Sequence, residues 1–254
     1  MKNYSAFILI PEFSKNLLIR LTTFILSITG FIRKTHKDRF KETHINRAVK
    51  KRKAGSYMEI GVRNGACFNQ VSCRKKVGVD PAPDQFGDSL KEGEYFFKEE
   101  SDTFFIKNAD EVYKEEKIDV ALVDGLHEFT QALRDILNVE KYISEKGIIF
   151  VHDCNPPTRQ HADVRDGGEW NGDVWKIAVY FRKYRKDLKF FTLDCDWGVG
   201  VITGFSGDGK KDKPDPEIIR QLKELDYGYF DKNRQQILHL RPSSYSRFFL
   251  KFSH

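Results

Sequence analysis

The chain has 254 residues, room for one large domain or two small ones. Its charge of +6, from 43 Lys and Arg against 37 Asp and Glu, is uneven: residues 1–53 hold 13 basic and 3 acidic side chains, leaving 30 and 34 for the rest. That mildly acidic body excludes a basic nucleic-acid-binding domain, and 40% hydrophobic with 13% aromatic residues excludes a wholly disordered chain.

In chain order, residues 17–32 (LLIRLTTFILSITGFI) come first. The uninterrupted part, Leu21–Ile32, is shorter than the ~20 residues of a spanning helix. Glu12 and the lack of a small-residue cleavage site oppose a secretory signal. Basic residues dominate 33–53 (Arg33, Lys34, Lys37, Arg39, Lys41, Arg47 and Lys50 to Lys53). An apolar stretch followed by a polybasic one suits an anionic membrane surface. The same residues also read as a helix packed on the domain with a solvated basic linker behind it. The expected organisation is a basic arm with a short apolar helix over 1–53, one domain over 54–204 and a C-terminal extension over 205–254. Cys67, Cys73, Cys154 and Cys195 are too scattered for a disulfide framework or zinc finger, which suggests reduced thiols in a cytoplasmic protein, peripheral at the membrane if the arm touches lipid.

From residue 56, short apolar runs alternate with helical stretches. The runs are Tyr57–Val62, Val77–Asp80, Tyr95–Phe97, Ile118–Asp124 and Gly147–His152. The clearest helix is His127–Ser144, where Phe129, Ala132, Leu133, Ile136 and Ile143 fall near a 3.6-residue period. Such alternation predicts an α/β fold, a Rossmann-like, doubly wound, mostly parallel sheet. Lys189–Leu193 and Val199–Thr203, separated only by DCDWG, predict an antiparallel edge hairpin. A polar loop, GDGKKDKPDP, then leads to a helix over Glu217–Leu225.

The first run ends in Glu59-Ile60-Gly61-Val62-Arg63-Asn64-Gly65, a strand–turn–helix of the nucleotide-binding kind, although the spacing is not GxGxxG. The second ends in Asp80, where an acid can accept both hydroxyls of a ribose. A tight βα turn with no ligand is the plainer reading of the same residues. In order, EIGVRNGACF, VGVDP, VDGLHEFTQALRDI and GIIFVHDCNPP resemble class I S-adenosylmethionine-dependent methyltransferases, closest to the branch with D-G-x-H after the fourth strand (family 24-like). The resemblance spans about 54–204. It implies that Glu59, Gly61 and Gly65 surround the methionine part of S-adenosylmethionine, that Asp80 binds the ribose, that Ser101 or Asp102 lies near the adenine and that Asp124 borders the cofactor. Arg63 stands where the family commonly has glycine, and Cys67 where relatives often have serine.

Ligands of open α/β sheets sit beyond the carboxyl ends of the strands, where Asp124, His127, His152 and Asp153 fall. His127 begins a helix, whose dipole favours the neutral ring and suits a general base. A more distant resemblance, to metal-dependent catechol-type O-methyltransferases, has a metal-binding Asp three positions before the base, with further ligands at the end of the next strand. Two readings follow. Asp124 and Asp153, with His152 or Asn155, hold Mg2+ or another divalent cation; or, without metal, Asp124 orients His127. The side chains also suit simple helix and loop caps. The long polar loop 153–173 offers Arg159, His161, Arg165 and Trp170 to a small-molecule or glycan acceptor, or is merely solvated. Trp175 and Trp197 read as core or edge residues.

The expected function is therefore O-methylation of a glycan or small-molecule hydroxyl, with His127 and Asp153 catalytic. A dinucleotide-dependent oxidoreductase on the same fold is disfavoured by the missing GxGxxG. A non-catalytic module of a glycan-assembly complex is disfavoured by the intact Glu59, Gly61, Gly65 and Asp80.

Overall fold

The computed structural model describes residues 38–84, 86–87, 90–163, 170–208, 213–247 and 249. The apolar stretch 17–32 and Arg165 lie outside the described residues. The chain divides into two units, Met1–Asp38 and Arg39–His254. Among the described residues, no helix is long and apolar enough to cross a membrane.

The second unit opens with α1 (Lys41–Arg52), the stretch read from sequence as part of a basic arm. Its Ile45, Ala48 and Val49 are buried in the core, while Lys50, Lys51 and Arg52 fill the last turn, where cations complement the carbonyl end of a helix. Arg47, Lys50, Lys51 and Arg52 of the polybasic run thus belong to a packed helix.

The predicted runs become β1 (Ser56–Ile60), β2 (Lys75–Val79), β3 (Glu94–Phe97), β4 (Ile118–Val123) and β5 (Ile143–Val151). Between them lie α2 (Ala66–Gln70), α3 (Ser101–Lys107), α4 (Ala109–Val112) and α5 (Phe129–Tyr142). After β5 come α6 (Arg159–Asp163), α7 (Lys176–Tyr184), β6 (Lys189–Asp194) and β7 (Val199–Thr203), the predicted hairpin. The chain closes with α8 (Pro216–Lys223), α9 (Tyr227–Leu238) and a two-residue β8 (Arg241–Pro242). The eight strands run in the order β3-β2-β1-β4-β5-β7-β6-β8, with β7 antiparallel to both neighbours. This is the expected mostly parallel, Rossmann-like sheet with an antiparallel edge.

Ile143 differs from the sequence reading. It leaves the helix and pairs with Ile118, so β5 starts four residues before the predicted Gly147. The C-terminal segment packs on the rest of the unit: Leu222, Phe230, Ile237 and Leu238 join one core cluster, and β8 pairs with β6.

Each face of the sheet has its own core. Met58, Ile60, Val77, Val79, Ala121 and Val123 pack on the α5 and α7 side, while Tyr57, Val120, Leu122, Ile148 and Phe150 pack on the α1 and α2 side. Both faces are covered, so β1 and β4 are buried almost throughout rather than in alternation. The strand order reverses between β1 and β4, which puts the carboxyl ends of β1, β4 and β5 around one crevice.

Candidate active site

Two cavities meet at this crevice, of about 930 Å3 and about 540 Å3, and share Gly61, Arg63, Asp124 and His127 in their linings. The smaller adds Asp80, Ser101, Asp102 and Leu126, and the larger adds Lys41, Glu59, His152, Asp153, Trp170 and Trp197.

The turn after β1 is built for close approach. Gly61 has φ +86, and a Cβ there would lie 2.1 Å from the Asp124 carbonyl oxygen, so any side chain would collide with the end of β4. Gly65, at φ 75, starts α2. Arg63 also takes a left-handed φ of 51, the conformation that a glycine would adopt without strain. Its backbone N donates to Asp80 Oδ2 at 2.7 Å, and Ala82 N donates to Asp80 Oδ1 at 2.8 Å. Asp80 therefore ties the first two turns together, and each oxygen keeps a lone pair for a ligand hydroxyl.

Glu59 is fully buried and accepts a 2.6 Å hydrogen bond from the Tyr57 hydroxyl, its same-face neighbour on the strand. Burial outweighs that bond and, with the like charge of Asp124, pushes its pKa up to about 8. Ser101 is occupied: its hydroxyl donates to Asp135 Oδ1 at 2.6 Å, and Gln131 Nε2 donates to the same oxygen at 2.9 Å. Asp102 pairs with Arg134 at 3.3 Å on the cavity rim.

The chemical end is a tight cluster. His152 Nδ1 lies 3.0 Å from both Asp124 Oδ1 and Asp153 Oδ2, and its Nε2 lies 3.5 Å from Asp196 Oδ1. Lys41 Nζ, from the first turn of α1, lies 3.4 Å from Asp124 Oδ2. Burial opposes every charge here, but mutual attraction prevails. Asp124 is held well below the usual carboxylate range by His152, Lys41 and His127. His152 is held well above the usual histidine value by the two aspartates. Lys41 is likewise raised, by Asp124 and Asp196.

His127 faces this cluster differently from the sequence reading. Its Nε2 is 3.1 Å from Asp153 Oδ2 but 4.0 Å from Asp124 Oδ1, so Asp153, not Asp124, is its nearer carboxylate. Asp124 is instead engaged by His152 and Lys41. His127 Nδ1 donates to the Trp170 carbonyl oxygen, which can only accept, leaving Nε2 as the basic nitrogen. Asp153 sits in the left-handed region at φ 62, a strained conformation for a non-glycine residue. Asn171 Nδ2 donates to Asp153 Oδ1, and Asn171 itself is anchored by its backbone N–H to the His161 carbonyl at 2.9 Å.

The loop 153–173 is divided in its roles. The ring of Trp170 stacks on His127 at 5.5 Å, and His161 stacks on Trp197 at 5.4 Å. Trp197, read from sequence as core or edge, thus lines the larger cavity, while Trp175 is core. Arg159 is not brought to the cavity: it pairs with Asp163 at 3.4 Å and lies over the Tyr227 ring. Lys41, Asp196 and Asn171 are the site residues that the sequence reading missed.

The donor atoms of Asp124, His152 and Asp153 lie within 4.8 Å of one another, close enough for one cation. Neighbouring ligands around an octahedral ion with bonds of about 2.1 Å are about 3 Å apart, so the two 3.0 Å spacings fit such an ion.

Residues 58–154 match the family model described as a methyltransferase domain (Methyltransf_24). No curated protein matches the chain by sequence. Among solved structures, the methyltransferase PaMTH1 of Podospora anserina is 14% identical with a TM-score of 0.50, over 79% of this chain and 99% of that one. The calicheamicin methyltransferase CalS11 is 13% identical with a TM-score of 0.47, over 80% and 98%. The N-methyltransferase NodS of Bradyrhizobium japonicum WM9 is 14% identical with a TM-score of 0.43, over 68% and 94%.

Proposed function

We propose that this chain, which carries a methyltransferase domain over residues 58–154, uses S-adenosylmethionine to methylate a hydroxyl of a small molecule or glycan. The observation that carries this reading is the meeting of the two cavities at Gly61 and Asp124, with His127 Nε2 beside the junction. The fit of the cofactor rests on this chain's own groups: a turn at Gly61 with no room for a Cβ, a buried Glu59 and an Asp80 with lone pairs to spare. PaMTH1, of the same fold, has been crystallised with S-adenosylhomocysteine.

In this reading Asp80 takes the ribose hydroxyls, Asp102 lies at the adenine end and Glu59 and Asp124 face the methionine end. Ser101 serves indirectly, by holding Asp135. Bound S-adenosylmethionine supplies an electrophilic methyl group on a sulfonium. His127 Nε2 would take the proton of the acceptor hydroxyl, and Asp153 would stabilise the imidazolium that results, while the methyl leaves the sulfonium and S-adenosylhomocysteine remains. The Trp170 carbonyl fixes the ring's tautomer. The indole faces of Trp170 and Trp197 give the larger cavity two flat apolar walls among polar groups, which suits the ring of a sugar or phenol.

A second reading of the acidic cluster is favoured by its spacing. Asp124, His152 and Asp153 would hold a divalent cation, Mg2+ or Mn2+, that lowers the pKa of the acceptor hydroxyl, with the two carboxylates as the hard oxygen ligands. In the metal-free alternative, the His152 imidazolium itself keeps the two carboxylates together.

The deciding experiment offers the protein methyl-labelled S-adenosylmethionine with a panel of glycans and phenols, with and without EDTA. Label in an O-methyl product supports the proposal, and loss of product in EDTA with recovery on Mn2+ or Mg2+ supports the cation. No labelled product, together with no calorimetric binding of S-adenosylhomocysteine, would overturn it. For the N-terminal arm, we propose contact with an anionic membrane surface, tested by whether removing residues 1–37 abolishes sedimentation with phosphatidylserine vesicles.

A further inference from the structure

We propose that Lys41, which lies outside the matched domain, is the counter-ion for the α-carboxylate at the methionine end of the cofactor. This assignment rests on the S-adenosylmethionine reading above. That end of the ligand is a zwitterion, with an ammonium and a carboxylate on one carbon. Around Gly61, acids are plentiful: Glu59 lines the floor, Asp124 the junction and Glu42 the rim. These suit the ammonium and would repel the carboxylate, which needs a cation of its own.

Two long basic side chains line the larger cavity, Lys41 and Arg63. Arg63 is 83% exposed and turned outward to Asp84 at 3.3 Å. Lys41 is only 16% exposed and reaches inward to Asp124. Its position is fixed at both ends: its backbone N–H donates to Asp196 Oδ2 at 2.8 Å, and its Nζ lies 3.4 Å from Asp124 Oδ2. An ammonium has three donors, so Nζ can keep Asp124 and still reach a ligand carboxylate. Lys41 is also the first residue of a twelve-residue helix, whose N-terminal end adds positive potential at the same place. Charge, burial and placement together distinguish Lys41 from Arg63.

The test separates the carboxylate from the rest of the ligand. S-adenosylhomocysteine has both charged groups, whereas S-adenosyl-3-thiopropylamine keeps the ammonium and lacks the carboxylate. Calorimetry is run with both on the full chain and on Lys41→Met and Lys41→Arg. The unsubstituted protein is expected to prefer S-adenosylhomocysteine by about 10- to 100-fold, the usual effect of one charge-assisted contact. Lys41→Met should bring that ratio to within about threefold of one, and Lys41→Arg should recover part of it. Equal weakening of both ligands by Lys41→Met would show a structural role and overturn the assignment, as would an unchanged ratio. Failure of the unsubstituted protein to bind either ligand would instead overturn the cofactor reading itself, and this assignment with it.

Discussion

His127 Nε2 lies 3.1 Å from Asp153 Oδ2, so a carboxylate from the end of β5 faces the imidazole on the loop after β4. Their pairing predicts a division of labour. His127→Ala should lower kcat by about 10²- to 10⁴-fold, the usual contribution of a general base, with S-adenosylhomocysteine affinity within about threefold. Asp153→Asn should lower kcat as well, because an amide does not stabilise the imidazolium as a carboxylate does. Asparagine tolerates the left-handed backbone at this position, which keeps the loss chemical rather than structural. Steady-state kinetics with parallel calorimetry checks both, and full turnover by His127→Ala would remove it as the base.

Asp80 predicts the opposite pattern. Its two oxygens already accept from Arg63 N and Ala82 N, so its carboxylate is fixed before any ligand arrives. Asp80→Ala should weaken S-adenosylhomocysteine by about 10- to 100-fold and also lower the melting temperature, because two turn N–H groups lose their acceptor. Asp80→Asn retains one acceptor oxygen and should fall between. Calorimetry and thermal unfolding of the three proteins give the order.

The strands and the first turn were legible because each is local. A parallel strand covered on both faces reads as a continuous apolar run, and Asp124, His127, His152 and Asp153 follow two such runs directly. What pairs with what was not legible. Nothing in the segments around Lys41, Asn171 and Asp196 shows that α1, the loop before α7 and the β6–β7 turn converge on one carboxylate cluster. The exchange of Asp124 for Asp153 beside His127 has the same origin, since it depends on how two strand ends face each other. β8 was missed because it is two residues long with a proline.

Glu59 predicts a pH dependence of cofactor binding. With its pKa pushed up to about 8 by burial, it holds a proton in the ligand-free protein at neutral pH. A ligand ammonium beside it favours the carboxylate, so binding expels that proton. Affinity for S-adenosylhomocysteine should therefore rise with pH up to about 8 and level off above it. Titrations at pH 7 in buffers of different ionisation enthalpy should report proton release, and Glu59→Gln should abolish it. Net proton uptake would contradict the placement of the ammonium.

Asp135 predicts a change in stability that involves no ligand. It lies on the buried face of α5, where burial pushes its pKa up to about 6 despite the bonds from Ser101 and Gln131. Below the unfolded value of about 3.8, both states hold the proton and the group has no effect. Between about 4 and 6, the unfolded chain ionises while the folded one stays protonated, so folding loses stability as pH rises. Above 6 both are ionised and the loss is constant, on the order of 3 kcal/mol for a shift of this size. Asp135→Asn has no charge to bury and still offers an oxygen to Ser101 and Gln131. Its melting temperature relative to the unsubstituted protein should rise from pH 4 to pH 7 and then hold. The difference between the two proteins cancels the titration of every other carboxylate, so a flat difference across that window would show that Asp135 ionises in the folded protein as readily as in the unfolded chain.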